Sequence, residues 1–369
     1  MKALFLIFHG FNPSNGISKK IHYQVHALSN NGVETHLCYL EEKSDRKYRM
    51  VDDKIIASYG KGLKSKIYKR IEFNSIVNYA MQHQINFVYI RSAHNANPFT
   101  IRMIRKMKQA GIRVVMEIPT YPYDQEYVST KMKLQLRLDQ CFRKKMAKLL
   151  DKIVTFSNYN TIFGVPTLQI SNGIDFNEIP VKQQQNDVSQ ELHLIGVAEI
   201  HFWHGFDRLI KGLANYYSTQ PNYKVYFHII GDFFSQRERH EYVSIIKEYH
   251  IEPYVILHGQ QHGKSLDALF ELCHLGIGSL ARHRSGITNI KTLKNREYAA
   301  RGIPFIYSEI DDDFEDMPYI MKIPANEEPV DITKLLLFYC ELNTSPQEIR
   351  DSIQFLSWKN QMKKVIENI

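Results

Sequence analysis

Short apolar segments alternate with longer amphipathic segments along the first half of the chain. Runs that predict buried strands occupy residues 2–8, 33–40, 87–91, 112–118 and 151–157. The spacing of apolar positions between these runs predicts helices over residues 17–30, 61–84, 97–110 and 129–150. Because strands and helices alternate, we expect a parallel sheet with helices packed on both of its faces.

The same alternation begins again in the second half of the chain. Strands are predicted at residues 192–197, 225–231 and 255–259, and helices at 235–249 and 264–274. The last segment, residues 346–369, is also predicted to be helical, with Trp358 as its largest apolar side chain. Between the two halves, residues 178–190 are polar and rich in glutamine, which is typical of a linker.

The sequence therefore predicts an α/β protein with two doubly wound domains that face each other across a cleft. We expect the first domain to span residues 1–180 and to be joined by a C-terminal helix at about 350–369. The second domain is expected at residues 190–349. In open sheets of this kind, ligands bind where the carboxyl ends of the strands meet.

Composition places the chain among soluble globular proteins, with 44% hydrophobic and 23% charged residues. No apolar run is long enough to span a membrane, and the first residues lack the features of a signal peptide. The cytoplasm is therefore the expected location. The cysteines are far apart, so they predict neither a zinc site nor a disulfide framework. They are Cys38, Cys141, Cys273 and Cys340.

The net charge of +8 suggests an anionic partner: nucleic acid, a membrane surface or a phosphorylated substrate. Neither a zinc-finger nor an RNA-recognition signature accompanies this charge, and the aromatic residues are scattered along the chain. We therefore expect no nucleic-acid partner and favour a phosphorylated substrate or a membrane surface.

The stretch from residue 285 to residue 304 carries the most specific chemistry. It predicts a helix that begins near Thr288 and stops at Gly302. One face of this helix is apolar except for Glu297, whose carboxylate needs hydrogen-bond donors such as the two hydroxyls of a ribose. The other residues on this face are Ile290, Leu293 and Ala300.

The start of the same stretch is suited to binding phosphate. Free N–H groups that follow Ser285 and Gly286 are expected to bind an anion, helped by the helix dipole. Lys294, one turn before Glu297, adds a cation. Together these features predict a nucleotide-sugar site. The alternative is a core helix in which Glu297 pairs with Lys294 or Arg301.

Two places in the first half lie at the predicted ligand edge of the sheet. Gly16 ends the loop after the first strand, and Lys19 lies in the first turn of the helix that follows. Glu117 lies at the carboxyl end of its strand, where either a catalytic or a structural carboxylate is expected. The loop after that strand is polar and aromatic, from Pro119 to Asp124.

An ordered set of motifs resembles a known family of enzymes. The set consists of the Gly16 loop, Asp151–Ser157, Ser171–Asp175, Ile230-Gly231, His258-Gly259 and Lys294–Pro304. In this order the motifs resemble the retaining GT-B glycosyltransferases, with glycosyltransferase family 4, also called group 1, as the most similar family. The resemblance covers essentially the whole chain, strongly in the second half and loosely over residues 40–110.

The resemblance implies two Rossmann-like domains and an enzyme that transfers a sugar, with retention, from a UDP- or GDP-sugar. The expected acceptor is a glycan or a lipid-linked glycan used in bacterial surface polysaccharide synthesis. The second domain is expected to bind the donor and the first to bind the acceptor. Enzymes of this fold are typically metal-independent, so we expect no metal and no cofactor besides the nucleotide sugar.

Two positions depart from the family pattern. In the E-x(7)-E motif of the family the later glutamate binds ribose and matches Glu297, but the earlier one corresponds to Asn289. Where the family has a diphosphate-binding lysine, this chain has His204. We therefore expect Lys294 or Arg282 to supply the missing charge, and His204 to contribute if it is protonated.

These considerations give three sets of predicted site residues. The catalytic set is Glu117, Lys294 and Glu297. The donor-binding set is His204, Gly231, Arg282, Ser285, Gly286, Ile287, Thr288, Asn289, Lys294 and Glu297. The acceptor-binding set is Gly16, Lys19, Arg91, Tyr121, Tyr123 and Asp124.

Two other functions are compatible with the same sequence. A non-hydrolysing sugar-nucleotide epimerase shares the fold and needs carboxylates placed beside the sugar carbon. A basic binding protein without catalysis is the other alternative. The acidic run Asp311–Asp313 is predicted to be a solvated loop rather than a metal site.

Two basic helices predict a cationic surface on the first domain. In the helix at 129–150 an apolar stripe is expected to pack on the sheet, and it consists of Leu134, Leu138, Phe142, Met146 and Leu149. A neighbouring stripe consists of Lys133, Arg137, Lys144 and Lys148. Residues 61–70 add Lys61, Lys64, Lys66, Lys69 and Arg70. We expect weak, salt-sensitive association with the inner face of an anionic membrane.

Overall fold

The computed structural model describes residues 1–11, 16–127, 129–183 and 190–369, and of Gln125 it describes the backbone alone. The chain divides into two compact units. The first unit consists of Met1–Ser171 together with Trp358–Ile369, and the second unit is Asn172–Ser357. The residues of the predicted linker that are described, 178–183, belong to the second unit, while 184–189 lie outside the described residues.

A mainly parallel sheet forms the centre of the first unit. Its strands are β1 (Lys2–Leu6), β2 (Glu34–Lys43), β3 (Arg46–Val51), β4 (Lys54–Gly60), β5 (Phe87–Arg91), β6 (Arg113–Ile118), β7 (Lys152–Thr155), β8 (Thr161–Ile162) and β9 (Val165–Gln169). Its helices are α1 (Gly16–Asn30), α2 (Gly62–Ile71), α3 (Asn74–Gln82), α4 (Pro98–Gln109) and α5 (Thr130–Ala147). The strand order is β4-β3-β2-β1-β5-β6-β7-β9-β8.

The topological switch point of this sheet lies between β1 and β5. Strand β1 pairs in parallel with β2 on one side and with β5 on the other. Strands β2 to β4 therefore extend the sheet on one side of β1, and β5 to β9 extend it on the other. Ligands of open α/β sheets bind at such a point, outside the carboxyl ends of the two central strands.

Helices cover both faces of the first sheet. Helix α1 buries Ile21 and Leu28 against one face, and helices α3 and α4 bury Ile76 and Ile104 against the other. Because the central strands are buried on both faces, they are apolar without alternation, as in the Ala3–Leu6 run. This is the doubly wound arrangement that the alternation of segments predicted.

The second unit has a parallel sheet of similar design. Its strands are β10 (Glu191–Val197), β11 (Lys224–Ile230), β12 (Val255–Gly259), β13 (Leu275–Ile277), β14 (Phe305–Tyr307) and β15 (Ile320–Lys322). Its helices are α6 (Phe206–Ser218), α7 (Gln236–Glu248), α8 (Lys264–Leu272), α9 (Leu293–Ala300), α10 (Ile332–Cys340) and α11 (Pro346–Ser352). The order β12-β11-β10-β13-β14-β15 places the switch point between β10 and β13.

The last helix, α12 (Trp358–Glu367), belongs to the first unit. Trp358 and Met362 are buried in the same cluster as Ile21 and Leu28 of α1. The side-chain oxygen of Gln361 also accepts a hydrogen bond of 2.9 Å from the backbone N–H of Ser171. The segment predicted as one helix at 346–369 is therefore two helices, and the chain passes between the units at Ser357–Trp358.

The structure also corrects the expectation for residues 61–84. These residues form two helices, α2 and α3, because the chain turns at Glu72 and Phe73. The carboxylate of Glu72 accepts hydrogen bonds from the backbone N–H and the hydroxyl of Ser75, at 3.1 and 2.8 Å, and so stabilises the start of α3. The antiparallel strands β3 and β4 were not predicted.

The apolar stripe predicted for α5 is only partly correct. Met146 is buried and Phe142 is partly buried, but Leu134 and Leu138 are 70% and 52% exposed. The buried face of the helix instead includes Asp139, whose carboxylate accepts a hydrogen bond of 2.7 Å from the hydroxyl of Tyr123. The buried stripe is therefore Leu136, Asp139, Met146 and Ala147 rather than the one predicted.

A row of histidines crosses the second sheet. The Nδ1 atom of His193 lies 2.8 Å from Nε2 of His228, whose Nδ1 lies 2.9 Å from Nε2 of His258. His274 Nδ1 accepts a hydrogen bond of 2.9 Å from the backbone N–H of His193. Burial lowers the pKa of His228 and of His274 to about 4, with neighbouring histidines or Lys182 adding to the effect.

None of the helices in the described part of the chain combines the length and the apolar character needed to cross a membrane.

Candidate functional site

The strongest candidate site lies at the switch point of the second sheet. The turn Phe202–His204 follows β10, and the turn Arg282–Ser285 follows β13. Since both strands end at the same edge, the two turns lie together there. The backbone N–H of Leu280 donates a hydrogen bond of 2.8 Å to the carbonyl of His204, which ties the two segments to each other.

Close packing at this point requires a glycine. Gly205 has a φ of 65°, and a Cβ atom there would lie 2.7 Å from the Cβ of Ala281. A larger residue would therefore strain the backbone and push the two turns apart. The sequence Trp203-His204-Gly205 thus positions His204 directly beside the segment that carries Arg282.

Lys294 brings a buried ammonium group to the same place. It lies in the first turn of α9, and its Nζ atom is buried without a hydrogen-bond partner among the described residues. Burial lowers the pKa of Lys294 to about 7; Glu309 opposes this change and Arg282 adds to it. The ring centroid of Phe206 lies 5.8 Å from Nζ. An ammonium held this way gains from any anion that enters the site.

Glu309 is the carboxylate whose charge acts on this lysine. It follows β14, is 2% exposed, and its Oε2 atom has no hydrogen-bond partner among the described residues. The other oxygen lies 3.5 Å from the side-chain nitrogen of Asn295. Burial raises the pKa of Glu309 to about 7, against the opposing effects of Arg282 and Lys294. The two buried groups therefore compensate each other only in part.

His204 is buried beside these cations. Its Nδ1 atom accepts a hydrogen bond of 3.0 Å from the backbone N–H of His201. Burial, Lys294 and Arg282 all lower the pKa of His204 well below its usual value. The imidazole is therefore neutral at pH 7, and its protonated form is disfavoured. This disfavours the charged role expected of His204 if it were protonated and leaves the positive charge to Lys294 and Arg282.

The loop after the second turn differs from the expected helix start. Helix α9 begins at Leu293 and not near Thr288, so Ser285 and Gly286 precede the helix rather than opening it. The carbonyl of Thr288 accepts a hydrogen bond of 2.7 Å from the backbone N–H of Ile310, which holds this loop in an extended course. The helix stops at Gly302, as predicted, with a φ of 74°.

Three further residues of the predicted donor-binding set contact the protein's own interior or backbone. Ile287 is 2% exposed and packs in the interior. Asn289 forms a backbone bridge with Ile310, and its side-chain oxygen is buried without a hydrogen-bond partner among the described residues. Gly231 has a φ of 118°, and a Cβ there would lie 1.7 Å from the carbonyl oxygen of Ala198. Gly231 therefore allows two segments of the protein's own backbone to pack together.

Glu297 is partly exposed and does not lie on the buried face of α9, where it was expected. Its side chain is 32% exposed, and Oε1 accepts hydrogen bonds from Nε and Nη2 of Arg301 at 3.1 and 3.0 Å. This is the pairing that the sequence left open as the alternative to a ribose site. The buried residues of the helix are Asn295, Arg296, Tyr298, Ala299 and Ala300.

The acidic run after β14 is structural in part, which corrects the prediction of a solvated loop. Asp311 is fully buried and accepts two hydrogen bonds from Arg296, at 2.6 and 2.8 Å. Asp313 also contacts Arg296. A buried bidentate pair of this kind positions α9 relative to the strand that leads to Glu309.

In the first unit, Glu117 is completely buried. Its carboxylate accepts hydrogen bonds from Gln24 at 2.6 Å and from the hydroxyl of Tyr89 at 2.7 Å, and it lies 3.2 Å from Nζ of Lys20. Burial raises the pKa of Glu117, but Lys20 and Arg91 outweigh it, so the pKa is lowered overall. These contacts favour a structural carboxylate, and a catalytic role for Glu117 stays a prediction.

The acceptor-set residues are not gathered into one group. Gly16 and Lys19 are exposed at the start of α1, and Nε of Arg91 lies 3.5 Å from the buried Glu117. Tyr123 is buried against Asp139, and Asp124 pairs with Arg143 at 2.6 Å. The remaining residue, Tyr121, packs edge-on against Tyr159.

Sequence reasoning missed two residues at the strand ends. Glu309 follows β14 in a segment without a helical or strand pattern. The only sequence signal for it was that a carboxylate comes soon after an apolar strand. His94 follows β5, where its ring stacks on Tyr123 with centroids 3.8 Å apart. The signal for His94 was a histidine three residues beyond a strand at the ligand edge.

By sequence, neither a family model nor a curated protein matches this chain. By structure, it is similar to sucrose-phosphate synthase from Thermosynechococcus elongatus, with a TM-score of 0.70 and 12% identity over 99% of this chain and 97% of that one. A glycosyltransferase from Rickettsia africae gives a TM-score of 0.62 with 11% identity, covering 99% and 97% of the two chains. HepE from Anabaena, in complex with UDP and glucose, gives 0.61 with 15% identity, covering 100% and 98%.

These similarities define the fold class. The chain has the α/β GT-B fold, with two Rossmann-like domains, and so confirms the fold class predicted from the sequence. At this level of identity the similarity establishes the fold alone, and the chemistry depends on the residues at the strand ends.

Proposed function

We propose that the protein is a glycosyltransferase that uses a nucleotide-diphosphate sugar as donor. The observation that carries this proposal is the buried ammonium of Lys294, which lies without a hydrogen-bond partner at the switch point of the second sheet. HepE, one of the structures of the same fold, is in complex with UDP and glucose. A donor diphosphate at the same edge would give Lys294 the anionic partner that it lacks.

The chemistry follows from the charge on the leaving group. When the sugar leaves a nucleoside diphosphate, negative charge grows on the diphosphate, and fixed cations nearby lower the barrier. Lys294 and Arg282 supply these cations, and His204 supplies a neutral hydrogen-bond donor through Nε2. Because the pKa of Lys294 is about 7 in the free protein, a bound diphosphate would favour its protonated form.

The remaining site roles extend this proposal. Glu297 would bind the ribose hydroxyls with the carboxylate oxygen that Arg301 does not hold. The loop from Ser285 to Asn289 would line the donor site. Glu117 and the acceptor set would contribute to the acceptor side in the first unit, with Arg91 as the member that touches the Glu117 network.

We further propose retention of configuration, membership of glycosyltransferase family 4, and independence from metal. The acceptor would be a glycan or lipid-linked glycan of bacterial surface polysaccharide synthesis, and the protein would act in the cytoplasm. The cationic and partly exposed helices α2 and α5 would give weak association with the inner face of an anionic membrane. Exposed Lys133, Arg137 and Lys144 support this step.

Nucleotide binding and donor hydrolysis test the central proposal. In a thermal-shift panel with UDP, GDP, ADP and CMP, we expect one nucleoside diphosphate to raise Tm. The matching nucleotide sugar should then release that diphosphate faster with acceptor than without it, and EDTA should not change the rate. No response to any nucleotide would contradict the proposal. Conversion of the nucleotide sugar to its epimer, without release of diphosphate, would indicate the epimerase instead.

Co-sedimentation with vesicles tests membrane association. We expect binding to anionic vesicles at low salt that is lost at high salt, because the interaction is electrostatic. Absence of binding at low salt would contradict it and leave the acceptor a soluble molecule.

A further inference from the structure

The first unit has a cavity at its own topological switch point. Its volume is about 210 Å³, and it lies between Phe8, which follows β1, and His94, which follows β5. Helices α2 and α5 close the sides, with Lys69 and Arg70 from α2 and Leu138 from α5. None of these residues belongs to the acceptor set predicted from the sequence. The position is nevertheless the one at which open α/β sheets bind ligands.

The cavity wall carries positive charge without a paired carboxylate. In the described part of the chain, neither Lys69 nor Arg70 has a carboxylate within 4.0 Å, whereas Lys47 and Lys108 are each paired with one. Burial lowers the pKa of Lys69, and the charges of Lys47 and Arg70 lower it further. Like charges are therefore held together beside an open volume, an arrangement that an anion stabilises.

A second observation points to a ligand. The Nδ1 atom of His94 lies 2.7 Å from the hydroxyl of Tyr127, but its Nε2 atom is buried with no hydrogen-bond partner in the ranges that the structure describes. His94 lines the cavity and has a φ of 49°, so its backbone holds a strained conformation. A buried polar atom left without a partner is costly unless a ligand satisfies it.

Part of the cavity lining is apolar. Phe8, Phe73 and Leu138 line it, and Leu138 continues into an exposed stripe with Leu134 one turn earlier on α5. The site thus combines two cations and a polar nitrogen with an apolar wall. A free anion would use only the first of these features, whereas a phosphate ester with a carbon skeleton would use both.

We propose that this cavity binds the phosphate group of a phosphorylated acceptor, with Lys69 and Arg70 as its cations and His94 Nε2 as a hydrogen-bond partner. The assignment of this ligand as the acceptor rests on the proposed function. The binding of phosphate by the cavity does not depend on it. Two sources share the chemistry: a lipid phosphate, whose chain would lie on the Leu134–Leu138 stripe, and a sugar phosphate.

Calorimetric titration of the full chain tests this proposal. The probes are inorganic phosphate, glucose 1-phosphate and geranyl phosphate. For the ester that binds best we expect K69Q/R70Q to weaken binding by about tenfold or more, because two charge-assisted contacts are lost. The control K61Q/K64Q removes the same charge at the start of the same helix, outside the cavity, and should change Kd by less than about twofold. Thermal unfolding of each variant confirms that it folds.

A third variant isolates the histidine. His94→Phe keeps an aromatic ring on Tyr123 but removes Nε2, and we expect it to weaken binding about fivefold through the lost hydrogen bond. Tighter binding of geranyl phosphate than of glucose 1-phosphate would identify a lipid source, and the reverse order a sugar source. Both orders support the phosphate site.

Two results would overturn the proposal. One is that wild-type protein binds none of the three probes saturably. The other is equal weakening in K69Q/R70Q and K61Q/K64Q, which would reduce the effect to general surface charge. Failure of the donor function is recognised separately, because it appears as the absence of any response to UDP, GDP, ADP and CMP. Phosphate binding in this cavity would be unaffected by that result.

Discussion

Two clusters of buried charge, one around Glu117 in the first unit and one around Lys294 in the second, are held in opposite ways. In the first unit, Glu117 is fully buried and receives hydrogen bonds from Gln24, Tyr89 and Lys20. In the second unit, the buried ammonium of Lys294 and one oxygen of Glu309 have no hydrogen-bond partner in the described part of the chain. A satisfied buried charge stabilises a fold, whereas an unsatisfied one costs stability and is retained where a ligand completes it. The contrast therefore separates scaffold from site.

Glu117→Ala should produce the largest effect, on stability. It removes the acceptor of three donors and leaves Lys20 buried without its carboxylate, so we expect a loss of about 3–5 kcal/mol in unfolding free energy. Chemical denaturation measures this. Glu117→Gln, which keeps the shape, is the informative comparison. A stable Glu117→Gln protein with greatly reduced turnover would show that Glu117 acts in the reaction, and the contrast between the two clusters would then be wrong.

Lys294→Met should have the opposite pattern. The thioether side chain fills similar volume without charge, so stability should be unchanged or higher, while nucleotide affinity should fall by about 100-fold through the loss of a buried charged contact. Titration with the nucleotide identified in the thermal-shift panel measures the affinity. The control Lys334→Met changes a lysine that is 71% exposed in the same unit and should leave affinity unchanged. Unaltered nucleotide affinity in Lys294→Met would contradict the proposal that Lys294 binds the donor diphosphate.

Glu297→Ala tests an intermediate case, a half-buried carboxylate with one partner. If the free oxygen binds ribose, donor use should weaken by about 1–3 kcal/mol in kcat/KM, the range for lost charged hydrogen bonds. Stability should change little, because Arg301 also lies 2.8 Å from Asp267. Unchanged kinetics in the folded variant would assign Glu297 to its pairing with Arg301 alone.

Glu309→Gln tests, through the pH dependence of nucleotide affinity, whether Glu309 and Lys294 act together. Glu309 raises the pKa of Lys294, so its removal should lower that pKa below about 7 and leave less ammonium at neutral pH. Nucleotide affinity should therefore fall about fivefold at pH 8 and much less at pH 6, a difference that a purely structural residue would not produce. Equal losses at both pH values would argue against this coupling.

The histidine row provides a third kind of buried group, one that stays neutral. The pKa values of His228 and His274 are lowered from 6.5 to about 4, so the unfolded chain binds more protons between these values. Stability should be complete above pH 6.5 and decline towards pH 4, by about 1–2 kcal/mol after allowing for solvent screening. His228→Gln should flatten this decline in denaturation curves measured across the range.

Most of the fold follows from local sequence signals. Helix α4 has Asn97 as a capping residue and Pro98 in its first turn, and its predicted limits nearly match the observed ones. The buried strands could be predicted because they are continuous apolar runs in the sequence. The turn at Glu72 was missed because the residues on both sides of it continue a helical pattern, and the contacts of Glu72 with Ser75 are visible only in the structure.

The candidate site was less predictable, for a physical reason. The start of α9 depends on the hydrogen bond between Thr288 and Ile310, a contact between residues separated along the chain. The burial of Glu309, likewise, depends on neighbours that the sequence does not place beside it. Lys294 was identified from its place one turn before Glu297, and Arg282 because the family pattern lacked a cation here. The protonation state of His204 depends on both of them and is therefore set by the fold.

The position of α12 has a consequence for how the chain folds during synthesis. Trp358, Met362 and Val365 complete the core around Ile21 and Leu28, but they are translated after the whole second unit. Until then α1 can pack on its sheet, but the part of its apolar face that α12 covers is exposed. Domains usually fold as units in the order of translation. Here the first unit completes its core only after the second unit has been translated, so we expect the two units to finish folding together rather than in strict order.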